Sequence, residues 1–396
     1  MMKQLIPKLR FPEFDNSLSL FKLKDLTLKI GDGLHSTPKY DELGQYYFIN
    51  GNNLKDGIIF IDEKTKKVNE EEFLKHKKNL STNTILLSIN GTIGNLAFYN
   101  NENVILGKSA CYINTDENCL KNKYLYYQLK TRRISKYFDD SLTGSTIKNL
   151  GLKSINNTDI ITPTLQEQTK IADFLGAVDK QLDILNKKKE KLNTYKKGVM
   201  QQLFSQQLRF KDDNGNDFPK WEEKTLGEVA NIIMGQSPDS NSYNLEGQGL
   251  PLIQGNADIV NRISSPRQYT NHITKVSEAG DILFTVRAPV GAVGINNVKS
   301  CIGRGVASIR SNENQIFLYQ YLLFIENDWE KFSQGSTFTA INSKDLKNYK
   351  FFVPKDKEQK KISNFLSAID KQIESVSAQI QKTESYKKGL LQQMFV

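Results

Sequence analysis

Residues 165–204 read LQEQTKIADFLGAVDKQLDILNKKKEKLNTYKKGVMQQLF, and residues 356–395 read DKEQKKISNFLSAIDKQIESVSAQIQKTESYKKGLLQQMF. At a constant offset of 191 residues, without a gap, Glu167-Gln168 meets Glu358-Gln359 and Phe174-Leu175 meets Phe365-Leu366. Asp179-Lys180-Gln181 meets Asp370-Lys371-Gln372, and Tyr195-Lys196-Lys197-Gly198 meets Tyr386-Lys387-Lys388-Gly389. The register reaches back to a Gly-Ser-Thr shared by Gly144 and Gly335, and roughly 24 of the 61 positions from there to Phe204 are identical. That is too many for coincidence in an ungapped register, so the chain is an internal duplication.

Within the first copy the apolar positions run Leu175, Val178, Leu182, Leu185, Leu192, Val199 and Leu203. The second runs Leu366, Ile369, Ile373, Val376, Ile380, Leu390 and Met394. Steps of three and four are the seam of a coiled coil, with polar interruptions at Lys189, Lys196, Thr383 and Lys387. Thr164, after Pro163 and three residues before Glu167, reads as a capping box; in the second copy Pro354 stands in the same place, with Asp356 as the cap. A helix from Gln166 to Leu203 is about 57 Å long. Each helix is apolar along one stripe only, and the other copy, running back antiparallel, supplies the stripe it needs. Gly198 and Gly389 cost about 1 kcal/mol each inside a helix, which points to a close helix–helix contact or to a local break.

Outside this stretch the echo persists only as landmarks, and the offset drifts. Leu9-Arg10-Phe11 resembles Leu208-Arg209-Phe210, and Ile49-Asn50-Gly51-Asn52 resembles Ile253-Gln254-Gly255-Asn256. Ile93-Gly94 resembles Val290-Gly291, and Gly107-Lys108 resembles Gly303-Arg304. Insertions in loops on a shared scaffold produce such drift. The variable regions, residues 15–160 and 218–352, read as mixed α/β, with strands at Thr84–Ile89, Asn103–Leu106, Asp281–Val286 and Val306–Ile309 and helices at Lys123–Phe138 and Gln315–Phe332. The expected architecture is α/β (α+β). Two mixed domains, 1–160 and 206–352, stand at opposite ends of a pair of long antiparallel coiled-coil helices, 161–205 and 353–396, with pseudo-two-fold symmetry.

The formal net charge is +10, and charged residues make up 25 % of the chain. That balance suits nucleic acid or an acidic surface as partner, but a plain basic protein shares it. With 21 Phe and 16 Tyr there is material for a core, which argues against wholesale disorder. No apolar leader and no apolar run of spanning length occurs, so secretion and membrane insertion are poor readings and the cytoplasm is the expected compartment. Three cysteines without CxxC spacing offer neither a disulfide framework nor a zinc site. Catalytic constellations fare no better. Gly107-Lys108-Ser109 hints at a phosphate loop, but the glycine required five positions before Gly107 is Glu102. Glu222-Glu223-Lys224, with Asp212, Asp213 or Asp217 upstream, has a nuclease-like carboxylate-x-Lys order but sits at a domain start. No catalytic and no metal-ligating residue is assigned.

The doubled Glu-Gln…Phe-Leu…Asp signature, the two Tyr-Lys-Lys-Gly segments and the opening Pro7-Lys8-Leu9-Arg10-Phe11-Pro12 resemble the specificity subunit of type I restriction–modification systems over the whole chain. The resemblance implies that each variable region is a target-recognition domain reading one half of a bipartite double-stranded DNA site, with the helices fixing the spacer. It implies as partners two adenine-N6 methyltransferase subunits and two ATP-dependent translocase–endonuclease subunits. S-adenosylmethionine, ATP and magnesium would belong to those partners, with no cofactor in this chain. It places partner helices against the paired helices, making Phe174, Leu175, Val178, Phe365, Leu366 and Ile369 candidate partner contacts, unless they face only each other. A subunit serving a fused methyltransferase–nuclease and a scaffold that binds no DNA are the rival readings.

Candidate DNA contacts are polar loop residues at the matched landmarks. In the first domain they are His35, Ser36, Lys39, Asn90, Thr92, Lys108, Ser145, Thr146 and Lys148; in the second, Gln236, Ser237, Arg287, Arg304, Ser336 and Thr337. Arg287 and Arg304 suit bidentate guanine contacts or phosphate clamps. The Gly-Ser-Thr pair suits phosphate binding or helix capping. Exchanging residues 15–160 for those of a relative is expected to change one half of the recognised sequence and leave the other; mapping the methylated motif of the hybrid checks this, and a change in both halves refutes modular reading.

Overall fold

The apolar runs are strands buried on both faces. Every residue of Thr84–Ser88 is buried, and Ile85 and Leu87 enter one apolar core while Leu86 enters another, as the two-residue period of a strand requires. Ile282–Thr285 repeats this, with Ile282 and Phe284 in one core and Leu283 in a second. The computed structural model describes residues 6–144, 148–329 and 340–395. The chain divides into two compact units, Met1–Asn186 with Ala378–Val396, and Lys187–Ser377.

In the first unit Thr84–Ser88 lies between Ala110–Thr115 and Leu96–Phe98, and Ala110–Thr115 pairs on its other edge with Thr27–Asp32, all antiparallel. Tyr46–Ile49 runs parallel to Val104–Leu106, and Ser19–Lys22 pairs antiparallel with Asp159–Thr162. The second unit repeats each pairing. Ile282–Thr285 lies between Val306–Ser311 and Val293–Ile295, and Ala230–Met234 pairs with Val306–Ser311. Leu250–Ile253 runs parallel to Ser300–Ile302, and Glu222–Thr225 pairs with Lys350–Val353. The duplication thus extends through regions whose sequences have diverged, because ladder hydrogen bonds come from the backbone, whatever the side chain.

All four expected strands form, with ends shifted by one or two residues. The helix expected over Lys123–Phe138 is two, Asn122–Leu129 and Arg132–Asp140. Thr131 between them is extended, and its hydroxyl donates to the Gln128 carbonyl at 2.7 Å, a local bond that competes with helix continuation. In place of Gln315–Phe332 the helix spans Gln315–Phe324; residues 330–332 lie outside the described residues.

The two long helices are Leu165–Phe204 and Asp356–Met394. The expected boundaries separate domains from helices, but compaction joins them: each unit holds the start of one long helix and the end of the other. In the first unit Ile171, Ala172 and Leu175 share a core with Leu390, Met394 and Phe395. Ile171 lies by Met394 and Asp179 pairs with Lys387, so these two segments run antiparallel. In the second unit Ile362, Leu366 and Ile369 share a core with Val199, Met200, Leu203 and Phe204, and Lys196 donates to Asp370 at 2.7 Å. The polar interruptions at Lys196 and Lys387 are therefore ion-pair positions. Tyr127 adds a hydrogen bond to Asp179 at 2.8 Å, and Gln320 adds one to Asp370 at 2.7 Å.

The Leu-Arg-Phe echo and the Glu-Gln signature meet at the helix starts. Arg10 grips Glu167 with two bonds of 2.7 and 2.8 Å, and Arg209 grips Glu358 with bonds of 3.1 and 2.7 Å. The two carboxylate side chains are 2 % and 0 % exposed. The hydrogen bond to its carboxylate holds each guanidinium above its ordinary pKa. Phe11 stands edge-on to Phe174 and Phe210 to Phe365, each at 5.7 Å between ring centres. Gln168 donates to the carbonyls of Cys119 and Pro163, and Gln359 to that of Pro354. The capping box is half formed: the Thr164 hydroxyl accepts from the Glu167 amide at 3.3 Å, but the Glu167 carboxylate turns to Arg10. Asp356 is the first helical residue of its helix and pairs with Lys360 at 2.6 Å; Lys355 stands at the cap.

A Cβ at Gly198 or Gly389 would meet nothing within 4 Å, and both helices run through them unbroken, so neither a close contact nor a break accounts for these glycines. Gly198→Ala and Gly389→Ala are each expected to stabilise the chain by about 1 kcal/mol, read as a raised urea midpoint. Arg209→Ala strands a buried carboxylate and is expected to cost about 3–5 kcal/mol, against under about 0.5 kcal/mol for an exposed arginine such as Arg132; equal midpoints for the two variants would refute the clamp.

Candidate nucleic-acid interface

In each unit four loops meet where the parallel strand pair ends beside the main sheet, held by the same backbone bonds. In the first unit Gly107 donates to Ile49 at 2.8 Å, Leu34 to Leu106 at 2.6 Å and Ile89 to Ser109 at 2.9 Å. In the second Gly303 donates to Ile253 at 2.8 Å, Gln236 to Ile302 at 2.9 Å and Val286 to Gly305 at 2.9 Å. Isolated bridges join Asn90 to Asn149 and Arg287 to Ala340. The drifting landmarks thereby become a residue-by-residue correspondence. Asn50 matches Gln254, His35 matches Ser237, Asn90 matches Arg287 and Lys108 matches Arg304. The loops approach closely: a Cβ at Gly107 would lie 2.2 Å from the Asn50 amide oxygen, and one at Gly305 would lie 2.2 Å from the Gln254 carbonyl.

Most of the candidates gather here. Thr92, Lys108 and Lys148 are exposed, and the half-buried Asn90 donates to the Lys108 carbonyl at 3.4 Å. Gly91 donates to the Lys148 carbonyl at 3.4 Å, bringing that residue to the same rim. His35 and Ser36, both exposed, follow Leu34, which bridges to Gly107; the His35 ring nitrogen lies 2.7 Å from Asp32. Lys39 is tied by its backbone amide to Glu72 at 3.2 Å. In the second unit Ser237, Arg287 and Arg304 line one cleft of about 180 Å³, and the Ser237 hydroxyl accepts from the Arg304 amide at 3.2 Å. Gln236 is exposed, and its carbonyl accepts from the Thr274 hydroxyl. Ser145, Thr146, Ser336 and Thr337 lie outside the described residues.

The structure adds residues that loop composition did not single out. Asn50, Asn52, Asn95, Lys55, Lys64 and Lys66 line a groove of about 590 Å³ in the first unit, with Thr92 and the rings of Tyr40, Phe48 and Phe60. Gln254 and Asn256 line the second unit's cleft. The signal for Asn50, Asn52, Gln254 and Asn256 was present in the echo of Ile49-Asn50-Gly51-Asn52 by Ile253-Gln254-Gly255-Asn256. Asp62 is the acidic member of the groove lining, and the Thr65 hydroxyl, with the Lys64 and Thr65 amides, holds its pKa below the usual carboxylate value. It stays anionic, but the three lysines outnumber it and leave the groove attractive to phosphate.

Two other sets of residues are placed differently from expectation. Leu175, Leu366 and Ile369 are 0 %, 0 % and 5 % exposed inside their own units and offer nothing to a partner. Phe174, Val178 and Phe365 are half-buried and packed on the same cores. The apolar side chains that the helices leave exposed are Ile184, Tyr195 and Tyr386. Glu222 and Glu223 sit on a strand and pair with Lys355 and Lys350, while Asp213 pairs with Lys361, so the nuclease-like triplet serves the fold. Among the described residues no three His, Cys, Asp or Glu side chains come together in a metal-binding group, and no helix is long and apolar enough to cross a membrane.

One module built twice, each copy presenting amide- and cation-rich loops on a common backbone frame, defines a two-headed recognition protein. The family model described as type I restriction modification DNA specificity domain matches the chain at residues 18–194 and again at 219–385. The type I restriction enzyme MjaX specificity subunit of Methanocaldococcus jannaschii is 35 % identical over 405 residues, covering 97 % of this chain and 94 % of that protein. A chain from a structure of the assembly and conformational transition of a type I R-M system superposes with a TM-score of 0.61 at 26 % identity, covering 95 % of each chain. The type I S subunit from M. genitalium shares the fold, with a TM-score of 0.63 at 20 % identity over 98 % of this chain and 99 % of that one. The chain belongs to the type I restriction–modification specificity subunits and carries two target-recognition modules.

Proposed function

We propose that each module reads one half of a bipartite double-stranded DNA site through the loops around Asn50, Asn90 and Lys108 in the first module and around Gln254, Arg287 and Arg304 in the second. The carrying observation is that one backbone frame presents different side chains in the two units, as two readers of two different half-sites require. Two readers on one chain act as a single binder of high effective concentration, and the long helices set the number of unread base pairs between half-sites. In this reading two adenine-N6 methyltransferase subunits and two ATP-dependent translocase–endonuclease subunits assemble on the chain. They bring S-adenosylmethionine, ATP and magnesium, and this chain contributes recognition and position. The target adenine leaves the duplex for methylation, since its amino group is not reachable within the stack.

The test is the N6-methyladenine map of the source genome with and without this gene. Loss of one split motif, methylated on both strands, is the expected result, and an unchanged map counts against the proposal. Purified full-length chain is expected to lose DNA affinity about 1,000-fold or more between about 50 and 200 mM salt, as several phosphate contacts dictate.

A further inference from the structure

The second unit contains six arginines, and four of them hold a carboxylate. Arg209 pairs with Glu358 at 2.7 Å, Arg262 with Glu326 at 2.7 Å, Arg267 with Asp258 at 2.8 Å and Arg310 with Asp281 at 2.5 Å. The other two, Arg287 and Arg304, have no acidic partner among the described residues, are both exposed, and line the same polar cleft with Ser237, Gln254 and Asn256. Their backbones are pinned, Arg287 by its bridge to Ala340 and Arg304 by the Ser237 hydroxyl, so both forks project from fixed points. The matched positions of the first unit carry Asn90 and Lys108, neither of which has a guanidinium fork. A planar fork with two parallel donors fits the paired acceptors O6 and N7 of guanine in the major groove, and no other base edge offers that pair.

We infer that Arg287 and Arg304 make guanine the base specified by the second module, and that Asn90 and Lys108 give the first module a different requirement, so the two half-sites are unlike. This rests on the reading of the modules as DNA readers. Carboxylate neighbours would neutralise the forks and compete for their donors, which accounts for a cleft kept free of acids where every other arginine of the unit is paired. The cleft, of about 180 Å³, carries no acidic side chain in its lining.

The experiment maps the methylated motif in cells carrying the wild-type gene, Arg287→Ala or Arg304→Ala, with Arg287→Lys and Arg304→Lys as charge-keeping counterparts. The expected result is that a guanine in one half of the split motif becomes degenerate, with discrimination at that position falling about 10- to 100-fold and the other half unchanged. Where an alanine variant abolishes methylation altogether, the lysine variant decides, by whether guanine discrimination falls. Weaker methylation of an unchanged motif marks both arginines as phosphate clamps and overturns the inference, as does a wild-type motif with no guanine in either half. Wild-type cells without any split motif overturn the DNA-reading proposal itself, whereas a split motif that every variant reads at full discrimination overturns this inference alone.

Discussion

A carboxylate shut away from water needs its charge and lone pairs met on the spot, and at the start of each long helix this chain meets that need with an arginine. Arg10 binds Glu167 across 157 residues and Arg209 binds Glu358 across 149. Each clamp draws the segment before a module onto the helix that follows it, which encloses the module and fixes where the helix begins. Replacing such a pair by apolar residues is often neutral or stabilising in net terms. A two-pronged guanidinium accepts one geometry, and register is what it contributes. The Asp179–Lys387 and Asp370–Lys196 pairs do the same about three turns further along, where an apolar seam alone would tolerate sliding by a heptad.

The division between what the two copies share and what they do not follows from which atoms do the folding. Strand pairing, loop crossings and bridges between loops come from backbone groups, and the apolar alternation of Thr84–Ser88 and Ile282–Thr285 sets which face each side chain takes. An exposed side chain on a pinned turn adds little to stability, within about 0.5 kcal/mol in most surface positions. Asn90 could therefore become Arg287, and Lys108 become Arg304, with the frame intact. A module whose frame and exposed loop side chains are so separable can change what it presents without refolding.

Much of this was legible from local pattern. The helices were written in the steps of Leu175, Val178 and Leu182, and the central strands in runs such as Thr84–Ile89. The break at Thr131 was not, because a single threonine hydroxyl competing for a carbonyl leaves the helical periodicity untouched. The partner assignment to Leu175, Leu366 and Ile369 failed because an apolar stripe states that it will be covered but not by what; here the chain's own modules cover it. The candidate loops were half legible. Exposed cations at the landmarks were found, whereas Asn50 and Gln254 were passed over because amides in turns usually serve the turn.

By itself the sequence determined the duplication, the long helices, the class of the domains and the family, all of which depend on periodicity and on identity at a fixed offset. The tertiary structure alone decided that Arg287 and Arg304 share one cleft and that His35 answers Ser237. It also decided that each helix start is clamped by an arginine about 150 residues away. The reason is physical. Local pattern is set by neighbours within a turn or a pleat, but convergence of distant side chains depends on how several loops close over a shared frame, and drifting loop lengths erase that information from the linear chain.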